Sequence, residues 1–349
     1  MNRRRQLVLA TGLLPLAHSR AGRGQPSQQM RRIGYLSLNT NGNEVDAQSR
    51  SLLQESLRRR GWVEGKNLQI EWRYAAGHYD RLDGLAKELV DLKVELIVAA
   101  LNAPTAAARR ATTSIPIVMI GAVLPVERGY VSSLAHPAGN VTGTSAPGAD
   151  TAAKSIQILR EVAPTLTRLA LLTNPSSSER PRRLQSAPHS IDELDRAAHN
   201  SVVDAIGRTA GALGMTSETF EAQTSEDITS RLQRIGASRA QMMWVAYDGV
   251  FQSRLRDIAS FATEHKILSI GIATAFTTVG GALYYGSSLA EILDRSVSFV
   301  DRILRGATPG DLPVEEPTNF DLIINMKTMR SIGIAVPRTV LVRATELIE

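Results

Sequence analysis

Short runs of consecutive apolar residues alternate with segments whose apolar positions recur every three or four residues, from residue 31 almost to the C-terminus. Ile33-Gly34-Tyr35-Leu36 is one such run; it ends in a polar loop at 37–43, and the helical segment that follows stops at Gly61. Residues 68–72 alternate like a strand, and Leu82, Leu85, Ala86, Leu89 and Val90 mark one helical face. The run 96–100 is wholly apolar, a helix begins at 104–112 after Asn102, and 115–120 is another apolar strand closed by Gly121. Fully apolar strands between amphipathic helices predict a parallel sheet covered on both faces.

The scheme then starts again. A helix near 152–162 leads to a strand at 169–173 ending in Asn174-Pro175. The polar stretch 176–196, with Pro181 and Pro188, reads as a loop or insertion before a helix that runs to Leu213. Strands are expected near 216–221, 242–246 and 268–272, separated by helices around Ile228, Leu232 and Ile235 and up to His265. Leu289, Ile292, Leu293, Val297, Val300, Ile303 and Leu304 form the clearest helical stripe, and the tail from Leu312 is punctuated by prolines. The fold class is therefore α/β: two Rossmann-like lobes with parallel sheets, a hinge between them and a cleft at the hinge. A length of 349 residues suits two ordinary cores better than one.

Composition changes the picture mainly at the N-terminus. Arg3, Arg4 and Arg5 precede an apolar stretch at 7–17, which is too short to span a bilayer, and Ser19-Arg20-Ala21 offers a small-x-small cleavage site. Residues 1–21 read as an export signal; Arg4-Arg5-Gln6-Leu7-Val8 also resembles the twin-arginine type. Residues 22–30 would be a flexible link. Removing 1–21 takes away four arginines and lowers the formal charge from +6 to +2, so no basic stripe argues for nucleic acid. The chain has no cysteine, which excludes disulfides, thiolate chemistry and a lipid-anchored Cys. A periplasmic, monomeric protein is the expectation.

Ligands of open parallel sheets bind beyond the carboxyl ends of the strands. Here those loops are small, neutral and rich in Asn, Ser and Thr, with one acid, Asp248. Amides and hydroxyls at helix N-termini suit a carboxylate, and a lone acid facing them suits an ammonium, so a zwitterion such as an amino acid fits both. The same residues also serve as ordinary helix caps. The expected ligand contacts are Ser37, Asn39, Asn102, Thr105 and Ala122 from the first lobe and Asn174, Tyr247 and Asp248 from the second, with Tyr285 at a crossing. The six histidines show no metal-ligand spacing, and no nucleophile–base pair is visible, so neither a metal nor a cofactor is expected. After the stretch HPAGNVTGTS at 136–145, the run from Gly143 to Gly148 mimics the start of a phosphate loop, but Ala149 stands where Lys is required. Val141, Thr142, Gly143 and Thr144 instead suit an extended segment crossing between lobes.

The segments RRIGYLS (31–37), GWVEGKNLQIEWRYAAGHYDRL (61–82), ELIVAA (95–100), TSIPIVMIG (113–121), HPAGNVTGTS (136–145), LTNP (172–175), GGALYYGSSLAEI (280–292) and the run from 312 to 349 resemble one family. It is the ABC-transporter substrate-binding proteins related to tryptophan-binding proteins, with the type I periplasmic-binding-protein fold. Leu124-Pro125 stands where members often carry Asp-Pro, and the 176–196 stretch is longer than usual. The resemblance implies three crossings, at 141–144, near 282–285 and near 313–319. The implied lobes are 31–142 plus 285–312 and 143–284 plus 313–349, and the helix over 289–304 would return to the first. It also implies a small-molecule ligand clasped between lobes and handed to an ABC permease. A sensor presenting the same clamp to a membrane receptor is the alternative, and an exported α/β enzyme a more distant one.

Overall fold

The structure is a computed structural model that describes residues 30–146, 148–175, 190–271 and 273–349. The expected export signal, nearly all of the link at 22–30, most of the polar insertion and the last residue of the 268–272 strand lie outside the described residues.

Five parallel strands form the first sheet: β1 (Arg31–Ser37), β2 (Leu68–Tyr74), β3 (Leu96–Ala100), β4 (Ile117–Ala122) and β5 (Val141–Ser145), in the order β2-β1-β3-β4-β5. Helices α1 (Glu44–Arg59), α2 (Leu82–Asp91) and α3 (Asn102–Ala111) connect the first four strands. The apolar runs form the strands because both faces are covered, and β4 is buried along its whole length. One face packs Leu89, Ala107 and Met119 together; the other packs Ile33, Leu53, Val98 and Val118.

After α4 (Ala149–Val162) come β6 (Arg168–Thr173), α5 (Ser190–Ala212), β7 (Thr216–Glu221), α6 (Ser225–Ala237) and β8 (Met242–Val245). Two abutting helices, α7 (Gly249–Ser253) and α8 (Leu255–Glu264), lead to β9 (Leu268–Gly271), α9 (Ala275–Thr278) and β10 (Leu283–Ser287). Helix α10 (Leu289–Leu304) then leaves the second sheet, and Ile292, Leu293, Val297 and Val300 pack on the first-sheet residues Ile33, Leu96 and Val118. Its apolar residues fall at three- and four-residue spacing, so one stripe meets the sheet. The chain returns as β11 (Phe320–Asn325), α11 (Met326–Ser331), α12 (Arg338–Leu341) and β12 (Glu346–Ile348), giving the order β12-β11-β10-β9-β8-β6-β7.

In the second sheet β10 and β11 pair antiparallel, unlike the other pairs. The hinge explains this. β10 ends where the chain crosses to α10, and β11 starts where it crosses back, so neighbouring strands with those ends must run oppositely. Two crossing positions differ from expectation. Ser145 still pairs with Ala122, so β5 belongs to the first sheet to its end and the first crossing follows it. Tyr285 pairs with Leu322 and β10 continues to Ser287, so the second crossing lies at 287–289 rather than 282–285.

The crossings are stitched together. Ser145 N donates to Glu315 O at 3.0 Å and Glu315 N to Gly143 O at 3.1 Å. Thr142 Oγ1 donates to Leu312 O at 2.6 Å, and Thr144 Oγ1 meets Ser296 Oγ of α10 at 3.0 Å. Glu291, in the first turn of α10, accepts from Asn319 N at 2.9 Å and from Thr318 Oγ1 at 3.0 Å. Burial alone would raise its pKa, but these hydrogen bonds and Arg295 pull it down to about 2.

Gly143 sits at φ +133°, and a Cβ there would lie 2.1 Å from Met119 O. Gly143→Ala should therefore cost about 3 kcal/mol or more, read as a lower urea midpoint. An unchanged midpoint would show that β5 can shift away from β4.

Candidate functional site

A cavity of about 270 Å³ lies between the lobes, with walls from both. The first-lobe wall is built on the loops after β3 and β4. Leu101 precedes α3 at φ 71°, ψ −174°, a conformation that a non-glycine residue adopts only when its surroundings impose it. Asn102 opens α3 and accepts from Val123 N through Oδ1 at 2.9 Å, while Tyr130 donates to the Asn102 carbonyl at 3.1 Å. Val123 O in turn accepts from Arg128 Nε at 2.9 Å. One residue, Val123, thus links the Asn102 amide to the Arg128 guanidinium. Arg128 is only 7% exposed. Burial pulls its pKa below the usual arginine value, against the opposing influence of Tyr130 and Glu127.

The second-lobe wall is built on the ends of β6 and β8. Thr173, the last residue of β6, is buried, and its Oγ1 has no hydrogen-bond partner among the described residues. Asn174 Nδ2 donates to Asp248 Oδ1 at 3.2 Å. Asp248 also caps α7, accepting from Val250 N at 2.9 Å, and Tyr79 of the first lobe donates to its other oxygen at 2.8 Å. Burial raises the Asp248 pKa, and the bonds from Val250, Asn174 and Tyr79 only partly offset it. Trp244, Tyr247 and Tyr284 supply aromatic surface. Tyr247 is deeply set yet 39% exposed, because that surface faces the cavity. His199 of α5 joins this wall; burial lowers its pKa, against the opposing influence of Glu221 at 3.8 Å.

The lobes touch. Gly249 lies under Leu38, and a Cβ on it would fall 2.4 Å from the Leu38 side chain. Thr274 Oγ1 donates to Gln48 Oε1 at 2.6 Å, Arg256 pairs with Glu44, and Val45 of α1 joins the second lobe's apolar cluster around Phe251.

Of the residues expected to contact a ligand, Asn102, Asn174, Tyr247 and Asp248 come together on the cavity wall. Ser37, Asn39, Thr105, Ala122 and Tyr285 are not brought to it. Ser37 Oγ accepts from Asn39 N at 3.1 Å, shaping the loop that carries Leu38. Thr105 Oγ1 donates back to Leu101 O at 2.7 Å. Ala122 points into the apolar core while Gly121 and Val123 on either side face the cavity, and Tyr285 stacks on Phe320 while Tyr284 faces the cavity. In both cases strand alternation turns the neighbouring residue inward. Tyr79, Arg128, Thr173, His199, Trp244 and Tyr284 were not anticipated. Alternation along 283–287 marks Tyr284 or Tyr285 as a pair of choices; Arg128 carries no local signal, since a charged residue beside Pro125 and Gly129 reads as solvated.

Two α/β sheets joined by three crossings around a shared cavity define a ligand-binding protein of the type I periplasmic-binding fold. The chain belongs to the ABC transporter substrate binding protein family, whose model matches residues 42–186 and 194–348. It is 25% identical over 278 residues to a tyrosine-binding protein of Clostridioides difficile, covering 80% of this chain and 74% of that protein. Among solved structures, a conserved domain protein from Vibrio cholerae matches with a TM-score of 0.77 at 24% identity over 91% of this chain and all of the other. An ABC domain from Streptococcus pneumonia in complex with L-Trp matches with a TM-score of 0.77 at 22% identity over 92% of this chain and all of the other. The family match makes this chain a substrate-binding protein rather than an enzyme.

Two predictions test this geometry. Because the native pKa of Asp248 is raised, its contribution favours the native state at low pH and is lost as pH rises through that pKa. Ligand-free Asp248→Asn should therefore melt no lower than the wild type at pH 7, with the gap narrowing on acidification; a lower melting temperature at pH 7 would show that the carboxylate's hydrogen bonds outweigh its desolvation. Gly249→Ala should hold the lobes apart, seen as a larger radius of gyration in X-ray scattering, and an unchanged radius would refute the Leu38 contact as a limit on approach.

Proposed function

We propose that this chain is the extracytoplasmic receptor of an ABC importer, closing its lobes over one amino acid and handing it to a membrane permease. The observation that carries this reading is the interlobe cavity with Asp248 buried in its wall, held by donors from both lobes. Such an acid, desolvated and without a described cationic partner, suits a ligand ammonium. Aromatic and apolar walls from Trp244, Tyr247, Val202 and Ile292 suit an apolar ligand body. The relatives support the class: one is named for binding tyrosine and another was solved with L-Trp. Export rests on residues 1–21, and the chain is proposed to act in the periplasm as a monomer.

The lobes swing about the stitched crossings. A ligand that touches both walls gains contacts only when they are closed, so its differential affinity drives closure. Thermal-shift and calorimetric titration of the purified protein with the L-amino acids tests the reading. One of them at 100 times its dissociation constant should add about 2.7 kcal/mol of stability. Asp248→Asn should weaken its binding at least tenfold. No shift from any amino acid would sink the proposed ligand class.

A further inference from the structure

The lining of the interlobe cavity draws on both faces of the second sheet. Asp248 caps α7, whose Val250 and Phe251 pack with Leu172 and Val245 on one face. The opposite face carries Leu171 and Trp244, covered by Ile156 of α4 and Ile206 of α5. Thr173 is in phase with Leu169 and Leu171 of β6, so it belongs to this second face. There the cavity wall includes Thr151, Thr173, His199, Val202, Val203 and Trp244. His199, Val202 and Val203 share one face of α5 through their three- and four-residue spacing. Three hydrogen-bonding features stand in this largely apolar compartment. Thr173 is only 2% exposed, and its Oγ1 has no partner among the described residues. An orphaned buried hydroxyl at a cavity wall points to an occupant that supplies its partner. His199 Nε2 stands 3.8 Å from Glu221 Oε1, beyond hydrogen-bond reach, and its ring makes no hydrogen bond among the described residues. Helix α4 starts after Gly148 without a side-chain cap, so its first-turn N–H groups remain donors.

We infer that this compartment reads a hydroxyl on an aromatic side chain of the ligand, and that His199 and Thr173 distinguish a ligand carrying that hydroxyl from one lacking it. This rests on the amino-acid reading above and deepens it by naming the side-chain class. Trp244, Tyr247 and the two valines offer flat and apolar surface to a ring. A hydroxyl both donates and accepts, as the mixture of groups here requires. The His199 ring, whose lowered pKa favours the neutral form, offers an acceptor nitrogen, while Thr173 and the start of α4 offer donors. An indole N–H only donates and would leave those donors unanswered. A carboxylate suits the place less well, because Asp150 already puts a negative charge in the first turn of α4. A site that keeps buried polar groups for one hydroxyl penalises the analogue without it, since those groups then stay unpaired.

The test is calorimetric titration of the purified protein with L-tyrosine and L-meta-tyrosine, each compared with L-phenylalanine, which has the same ring and backbone but no hydroxyl. The wild type should bind at least one of the two tyrosines about tenfold or more tightly than phenylalanine. His199→Leu removes the ring nitrogens, and Thr173→Val exchanges only a hydroxyl for a methyl on a side chain of the same shape. In either variant, shown folded by circular dichroism, the preferred tyrosine should lose about tenfold in affinity and phenylalanine almost none, so the ratio falls towards one. His199→Gln, which keeps a hydrogen-bonding group, should lie between. Loss of the preference in either of the first two variants upholds the inference. If the wild type binds amino acids but shows no preference for the hydroxyl, the inference falls while the amino-acid reading stands. If the wild type shows the preference and both variants keep it in full, other groups read the hydroxyl and the inference falls likewise. If none of the common L-amino acids binds the wild type, the amino-acid reading itself fails and this inference with it.

Discussion

The Asp248 carboxylate is taken out of water between two lobes and answered by donors from both. Val250 N and Asn174 come from its own lobe, and Tyr79 reaches across from the other. Hydrogen bonds to a carboxylate soften the cost of burying it but do not neutralise its charge, and the raised pKa records the remainder. The contact of Tyr79 across the lobes and the polarity of this part of the cavity wall both follow from where that charge is placed.

Stiffness and softness are divided cleanly between the hinge and the cleft rim. At the hinge, backbone pairs between β5 and residues 312–316, the Thr144–Ser296 contact and Glu291 tie the crossings into one unit. At the rim the lobes meet through side chains: Tyr79 on Asp248, Leu38 on Gly249, Val45 in the cluster around Phe251, Gln48 with Thr274, and an exposed Glu44–Arg256 pair of the kind that contributes at most about 1 kcal/mol. A ligand can shift the balance between closed and open lobes only by as much as it binds one better than the other, so contacts made to both walls are the ones that favour closure.

How much of this was legible in the sequence depends on the range of the interaction that fixes each feature. The two sheets were legible because runs such as 96–100 and 117–120 are buried on both faces and carry that fact in consecutive residues. The helix Leu289–Leu304 was legible through its stripe. The antiparallel return of β11 was not, since its direction comes from the position of the hinge rather than from the composition of 320–325. At the site, Asn174 and Asp248 were legible as polar residues just past apolar strands. Ala122 and Tyr285 show the limit: the strand ends are legible, but which of two alternating neighbours faces the cavity is not, and the structure turns Gly121 and Val123, and Tyr284, to it. Tyr79, at the start of a 3-10 turn, is far in sequence from Asp248, and only the folded chain brings the two together, whereas Arg128 is held by near neighbours such as Val123 and its burial is what the sequence does not reveal.

Burial of Asp248 also ties the chemistry of the cavity to the approach of the lobes. Its carboxylate bears a desolvation cost that the bonds from Val250 N, Asn174 and Tyr79 only partly offset. Because Tyr79 comes from the other lobe, this arrangement exists only while the two walls are near each other. On the reading proposed above, a ligand ammonium that relieves the remaining cost would therefore favour the same closed arrangement that Tyr79 helps to hold.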